Sequence, residues 1–395
     1  MNKSVSYRFS PGLGSLQESL TLGLTQKAKA LAAQGVDVLS LCAGEPDCDT
    51  PAHIKQAAVE ALAAGDTKYT PSSGRPDLRA AIADKLTREN GMPCQAGQIV
   101  VSPGAKFSCF LAIAVLCQEG DEVLLPSPYW LSYPEMARAA GATPVAVETK
   151  PENAFCATVE CLERHLTKRT RMIVLNTPSN PTGGVYSKPQ LQAIGEFAVE
   201  HDLWILADEI YEKLTYDPAR PHVSIASLDP AIAERTVTVN GFSKAYAMTG
   251  WRLGYLSAPL PVVERIGALQ SHTTSNPTSF AQAGALAALQ GTQEPVEEMR
   301  QAFRQRRERI AALLEAIPGI SAHKPEGAFY IFPDISSFGL DSMTFADRLL
   351  AEEKLSVVPG MPFGADGFIR LSYAYDLATI ERSLERLAAF CGKLG

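Results

Sequence analysis

The chain has no apolar stretch approaching the roughly 18 consecutive residues that a membrane-spanning helix needs, and its first residues carry no apolar core of signal-peptide length. A soluble cytoplasmic protein with no membrane partner is expected. The eight cysteines include no CxxC pair, and the six histidines show no HxxxH or HExxH spacing. A zinc site and a disulfide scaffold both lose their usual sequence support, so no metal is expected, and the thiols should be buried and free. An excess of positive charge is missing too. With 36 Lys+Arg against 43 Asp+Glu, a net charge of -7, the chain lacks the footprint that sequence-independent nucleic-acid binding requires. Internal repeats and low-complexity segments are absent. The 395 residues, 46% apolar and 20% charged, have an ordinary globular composition, and at roughly 150 residues per domain they make two or three units.

From about residue 98 to 258, short β-branched runs alternate with longer helix-period segments: QIVVSPG, EVLLPSP, TPVAVET, RMIVLNTP, LWILADE, TVTVNG and GYLSAP. These runs are nearly continuous in Val, Ile and Leu, as strands buried on both faces of a parallel sheet should be. They predict an α/β fold with a mostly parallel seven-stranded sheet flanked by helices. In such sheets ligands bind beyond the carboxyl ends of the strands. Gly, Pro, Asn and Asp gather at those ends here, in SPGAK, PSPYW, NTPSNPTGG, ADEIY and NGFSKAY. The C-terminal part opens with a long charged helix pattern, EPVEEMRQAFRQRRERIAALLEAI, and continues with short strand patterns that suit a smaller α+β domain. The expected division is an arm and part of the small domain over 1–50, a large domain over 51–288 and a small domain over 289–395. The run Arg304, Arg306, Arg307, Arg309 alternates with glutamates and reads as a solvated helix face.

Several residues at the strand ends carry possible chemistry. Lys244 follows an apolar strand, where a surface lysine at a turn is the plain alternative. A partly desolvated amine with a cationic neighbour could instead form a Schiff base. Ser243 beside it and Arg252 suit a phosphate. Asp208 closes the most apolar strand and could simply cap the next helix. With Tyr211 three residues later, it could instead face a pyridinium nitrogen while the phenol faces a ring hydroxyl, the pair that a pyridoxal cofactor needs. Asn180, in a turn-forming NTPSNPTG segment, could donate to the same ring oxygen and to a substrate carboxylate. Gly104, Ala105 and Lys106 open a helix whose backbone N–H groups could hold a phosphate.

Taken together, the segments CAGEPDCDTP, KYTPSSGRPDLR, SPGAKFS, PSPYWLSYPEM, NTPSNPTGG, ADEIYEKL, NGFSKAYAMTGWRLGY, PEGAFYIFPD, VVPGMPFG and GFIRLSYA resemble the class I and II aminotransferases, pyridoxal phosphate enzymes of fold type I. The resemblance spans nearly the whole chain. It implies that Lys244 binds the cofactor covalently and shuttles the proton, and that Asp208 pairs with the pyridine nitrogen. Tyr211 and Asn180 then serve the ring hydroxyl and Trp130 the ring face. Gly104, Ala105, Lys106, Ser243 and Arg252 surround the phosphate, joined by Tyr69 from a neighbouring subunit, so a homodimer with shared active sites is implied. Arg370 would clamp the substrate α-carboxylate, with the backbone of Gly44 on the same group.

The only arginine between 260 and 299 is Arg265, which does not match the distal-carboxylate arginine of classical aspartate aminotransferases. The chain instead resembles the bacterial and plastid subgroup in which a GAK lysine, here Lys106, takes that role. Within the subgroup, Lys106 and Thr50 match residues associated with prephenate. The implied function is amino transfer between aspartate or glutamate and a 2-oxo acid in a ping-pong cycle. An aromatic or alanine aminotransferase or a β-lyase on the same cofactor remains open, as does, more remotely, a non-catalytic regulator. Two departures stand out: Gly241 lacks the hydroxyl that many members place near the phosphate, and Phe107 and Ser108 replace smaller or polar residues after the lysine.

Overall fold

The computed structural model describes residues 11–14, 16 and 20–394; the first ten residues of the expected N-terminal arm lie outside that range. The seven apolar runs form one seven-stranded sheet: β1 (Ile99–Ser102), β2 (Glu122–Ser127), β3 (Thr143–Glu148), β4 (Thr170–Asn176), β5 (Trp204–Asp208), β6 (Thr236–Gly241) and β7 (Gly254–Ser257). Their order across the sheet is β1-β7-β6-β5-β4-β2-β3, and all pairings are parallel except those of β7, which runs antiparallel to both neighbours.

Alternate side chains of one strand point to opposite faces, so a buried strand must be apolar on both. In β4, Met172 and Val174 pack with Cys109, Leu111 and Ile113 of the helix Ala105–Leu116 on one face. Ile173 and Leu175 pack with Leu191, Ile194 and Phe197 of the helix Lys188–Glu200 on the other. Each such fully buried side chain contributes about 1.5–3 kcal/mol. At the β1 edge, Ile99 and Val101 close onto Leu78 and Ile82 of the helix Pro76–Asn90.

The smaller sheet is antiparallel, Val358–Pro359 with Ile369–Ser372 and Ile369–Ser372 with Tyr330–Ile331. A separate parallel pair joins Leu39–Ser40 to Leu355–Ser356, so residues near the start of the chain complete structure near its end. The long charged helix is Glu294–Glu315, and it buries Val296, Met299, Phe303, Ile310 and Leu314 on one face. Arg304 and Arg309 are exposed, as the solvated-face reading expects, but Arg306 and Arg307 are largely covered: Arg306 grips Asp47 bidentately at 2.7 and 2.9 Å, and Arg307 lies over the Tyr216 ring. All eight cysteines are free; six are buried, but Cys48 is exposed and Cys94 is intermediate, so the expected burial fails for those two. No helix among the described residues is long and apolar enough to cross a membrane.

Candidate active site

The register of the parallel strands brings their carboxyl ends to one level: Asn176 at the end of β4 pairs with Asp208 at the end of β5. The segments that follow β1, β2, β5 and β6 bend over these ends, while the smaller sheet supplies Tyr330 and Arg370. Together they enclose a cleft of about 500 Å³, a volume typical of cofactor sites. Ala105, Lys106, Trp130, Asn180, Asp208, Tyr211, Ser243, Lys244, Arg252, Arg370 and Gly44 all line it, so the fold brings together most of the residues singled out in the sequence.

One end of the cleft is built from backbone. Gly104 caps the helix Ala105–Leu116 with φ 92°, a conformation that favours glycine, and a Cβ there would stand 2.5 Å from the Arg252 guanidinium. Behind it, a Cβ on Gly254 would come within 2.2 Å of the Ala105 nitrogen. These two glycines let the helix start press against β7 and let Arg252 cross the helix end, where N–H groups and the helix dipole favour an anion. Arg252 also donates to the Thr249 carbonyl at 2.8 Å. Gly241 has a packing reason for its missing side chain, since a Cβ would approach the Gly254 Cα to 2.9 Å.

Deeper in the cleft, Asp208 is buried. Burial pushes its carboxyl up from the ordinary value, while hydrogen bonds from Tyr133 Oη (2.6 Å) and the Ile210 N–H (3.2 Å) oppose the rise. Tyr211 and Tyr330 share a hydrogen bond of 3.0 Å between their hydroxyls. Arg370 is only 2% exposed. It donates to Asn180 Oδ1 at 3.0 Å and to the Cys42 carbonyl at 2.8 Å, its guanidinium lies 4.4 Å from the Tyr330 ring centroid, and its Nε is buried without a partner. A buried unpaired donor on a guanidinium costs free energy that an incoming carboxylate can recover.

Lys244 donates to the Gly44 carbonyl. Desolvation is the main cause that brings its amine down to about 8; Arg252 and Arg370 add to the fall, and Glu45 and Asp208 oppose it. Lys106 stands at the mouth of the cleft, 4.9 Å from the Trp130 ring centroid, with its amine lowered by desolvation and by Arg252.

Two sequence-predicted residues lie elsewhere in this subunit. Thr50 is not at the cleft: its hydroxyl donates to the Ala247 carbonyl at 2.7 Å and accepts from Trp251 Nε1 at 3.0 Å, so both bonds hold backbone and tryptophan rather than substrate. Tyr69 is 90% exposed and is not among the residues that line this cleft. Conversely, Tyr133, Tyr330 and Asn176 line the cleft without having been singled out. Each sits in a segment that carried the family resemblance, but its residue type in an apolar run does not separate it from a core residue.

The donor set suits a phosphorylated, ring-bearing cofactor: a helix start with a glycine that makes room for Arg252 at one end, a buried carboxylate at the other, and an amine of lowered basicity in the same cleft. Comparison with known proteins agrees. The family described as aminotransferase class I and II matches residues 36–387. An aspartate aminotransferase of Geobacillus stearothermophilus is 47% identical over 383 residues, 96% of this chain and 97% of that protein. An aspartate/prephenate aminotransferase of Cereibacter sphaeroides is 43% identical over 393 residues, 97% of this chain and 98% of that protein. Among solved structures, the aspartate aminotransferase of Thermus thermophilus with maleate matches with a TM-score of 0.94 at 43% identity, covering 98% of this chain and all of that one (100%).

Proposed function

This chain belongs to the class I and II aminotransferases, enzymes that work with pyridoxal phosphate, and we propose that it moves the amino group of aspartate or glutamate to a 2-oxo acid, with prephenate among the acceptors. When bound, the cofactor supplies an electron sink for the charge that develops at the substrate α-carbon. The chain's own residues do the rest. The helix start at Ala105 and Lys106, with Ser243 and Arg252, holds the phosphate. Asp208 would face the ring nitrogen, Tyr211 and Asn180 the ring hydroxyl side, and Trp130 the ring face. Lys244 would hold the cofactor through its amine, and its lowered basicity suits it to move a proton at the substrate α-carbon near neutral pH.

The observation that carries the substrate assignment is the pair of cations on one cleft, Lys106 and Arg370. Arg370, with its unpaired Nε, suits the α-carboxylate; Lys106 suits a second, distal carboxylate. The same pair disfavours a β-lyase or a monocarboxylate-specific transferase. A neighbouring cleft of about 370 Å³ shares Lys106 and Arg252 and is lined by Phe107, Phe110 and Met136, which gives apolar room for a dicarboxylate that carries a ring, as prephenate does. Tyr69 is read as a phosphate ligand for a second copy of the chain, so the working unit is a homodimer. The eight free thiols suit a cytoplasmic setting.

The test is the visible spectrum of the purified protein before and after L-aspartate alone. Bleaching of the yellow absorption by aspartate supports the proposal, and a yellow protein that aspartate leaves unchanged removes the substrate assignment. Lys106→Ala should then raise KM for aspartate about tenfold or more while sparing alanine, as expected for loss of a charged contact. Equal losses for both substrates would confine Lys106 to the phosphate.

A further inference from the structure

The Asp208 carboxylate is engaged on both oxygens before any ligand reaches it. Oδ1 accepts the Ile210 N–H at 3.2 Å, and Oδ2 accepts the Tyr133 hydroxyl at 2.6 Å with Cys109 Sγ 3.7 Å away. Tyr133 comes from the helix Ser132–Ala139, is 1% exposed, and stands edge-on to Trp130 with centroids 5.2 Å apart. It thus bridges two cleft-lining residues that come from different parts of the sequence. Cys109 cannot substitute for it, because a thiol is a weak donor and this one is too distant for a strong bond.

We infer that Tyr133 is a positioning residue that acts through Asp208: its hydrogen bond keeps the carboxylate ionised and its free lone pairs turned into the cleft. The inference rests on the reading of the cleft as a pyridoxal phosphate site and adds a residue to it. The physical reason is that a carboxyl buried among apolar groups takes up a proton unless donors favour its charged form. A protonated Asp208 could no longer balance a protonated ring nitrogen. The titratable groups that act on Asp208 are Cys109 from the helix Ala105–Leu116, Tyr133 from Ser132–Ala139, Tyr211 from its own loop and Lys244 beyond β6, with Glu209, whose side chain points to Ser224 and His222, acting by its charge. Glu209 and burial both work against the ionised carboxylate, whereas Tyr133 has the shortest hydrogen bond supporting it. Burial also holds the Tyr133 phenol well above its ordinary value, so it stays a donor across the working pH range.

The test uses the full-length apoprotein and two probes, pyridoxal phosphate and its 1-deaza analogue, in which a C–H replaces the ring nitrogen. Tyr133→Phe keeps the ring and its edge contact with Trp130, so the fold is retained. Affinity for pyridoxal phosphate should fall about tenfold, in line with loss of a hydrogen bond to a charged group, while affinity for the analogue stays within about twofold. In an Asp208→Asn background the tyrosine substitution should weaken pyridoxal phosphate binding no further. An equal fall for both probes, or no fall for pyridoxal phosphate, overturns the inference. No amino acid takes part in the titration, so its outcome is independent of the substrate assignment.

Discussion

At Lys244 opposing fields act on one amine, and their balance predicts a measurable pH dependence. Desolvation, with Arg252 and Arg370, outweighs Glu45 and Asp208 and brings the amine down to about 8. Only the neutral amine attacks the cofactor's aldehyde carbon. The rate of pyridoxal phosphate uptake by the apoprotein should therefore rise with pH up to about 8 and level above it. Stopped-flow absorbance follows this directly, and a rate still climbing steeply between pH 9 and 11, as an ordinary lysine gives, would contradict the site's electrostatics. Residues such as Lys244, Asp208 and Arg370 were legible in the sequence because a charge inside an apolar run is chemically out of place. Tyr133 and Tyr330 were not, because a tyrosine in such a run is ordinary core until its hydroxyl is seen to meet Asp208 or Tyr211.

One element joins the cleft to the interior behind it. In the turn after β5, Asp208 and Tyr211 line the cleft, whereas Glu209 and Glu212 point into a buried polar cluster. There Lys85 pairs with Glu212 and donates to Asn90 Oδ1 at 2.7 Å. Asn90 donates to Glu212 Oε2 at 2.7 Å, Ser224 donates to Glu209 Oε2 at 2.6 Å, and His222 Nε2 lies 3.1 Å from the same oxygen. Burial opposes ionisation of Glu212, but Lys85, His222 and Lys213 together hold its carboxyl below the usual range. The stability gained is present at neutral pH and lost as pH falls through that depressed value. Removing the cation strands the carboxylates in a low-dielectric interior. Lys85→Met should destabilise the protein by about 3–5 kcal/mol in urea unfolding, and Lys85→Met with Glu212→Gln should recover most of the loss. A single variant as stable as the parent would show that Glu212 is not held by Lys85. This cluster was not legible before folding, since helix Pro76–Asn90 and the β5 turn are more than a hundred residues apart.

For the molecule as a whole, the surface around Tyr69 bears on assembly. Tyr69 is 90% exposed, and Val59 (57%) and Leu62 (44%) of the nearby helix Ala52–Ala63 are also open to solvent. Exposed aliphatic side chains such as these suit an interface, the assembly proposed above. Val59→Lys with Leu62→Lys should shift sedimentation velocity toward monomer and weaken pyridoxal phosphate binding in parallel. If Tyr69 reaches the phosphate of a second copy, Tyr69→Phe should weaken the cofactor about tenfold through one lost charge-assisted hydrogen bond and leave sedimentation unchanged. If the lysine pair leaves both assembly and affinity unchanged, this face is not the interface and Tyr69 serves no second subunit.

The amino-acid order alone determined the sheet and its helices, because apolar runs buried on both faces leave little other arrangement, and it put the residues expected to hold phosphate and ring at the strand ends where parallel sheets bind ligands. Tertiary structure decided what distance in the chain concealed. The hydroxyl of Thr50 meets Ala247 and Trp251, about 200 residues on, a pairing that nothing in the local sequence announces. Tyr133 joined the site because helix packing carries its hydroxyl to Asp208. Hydrogen bonds and desolvation depend on neighbours in space, and those neighbours exist only once the chain has closed on itself.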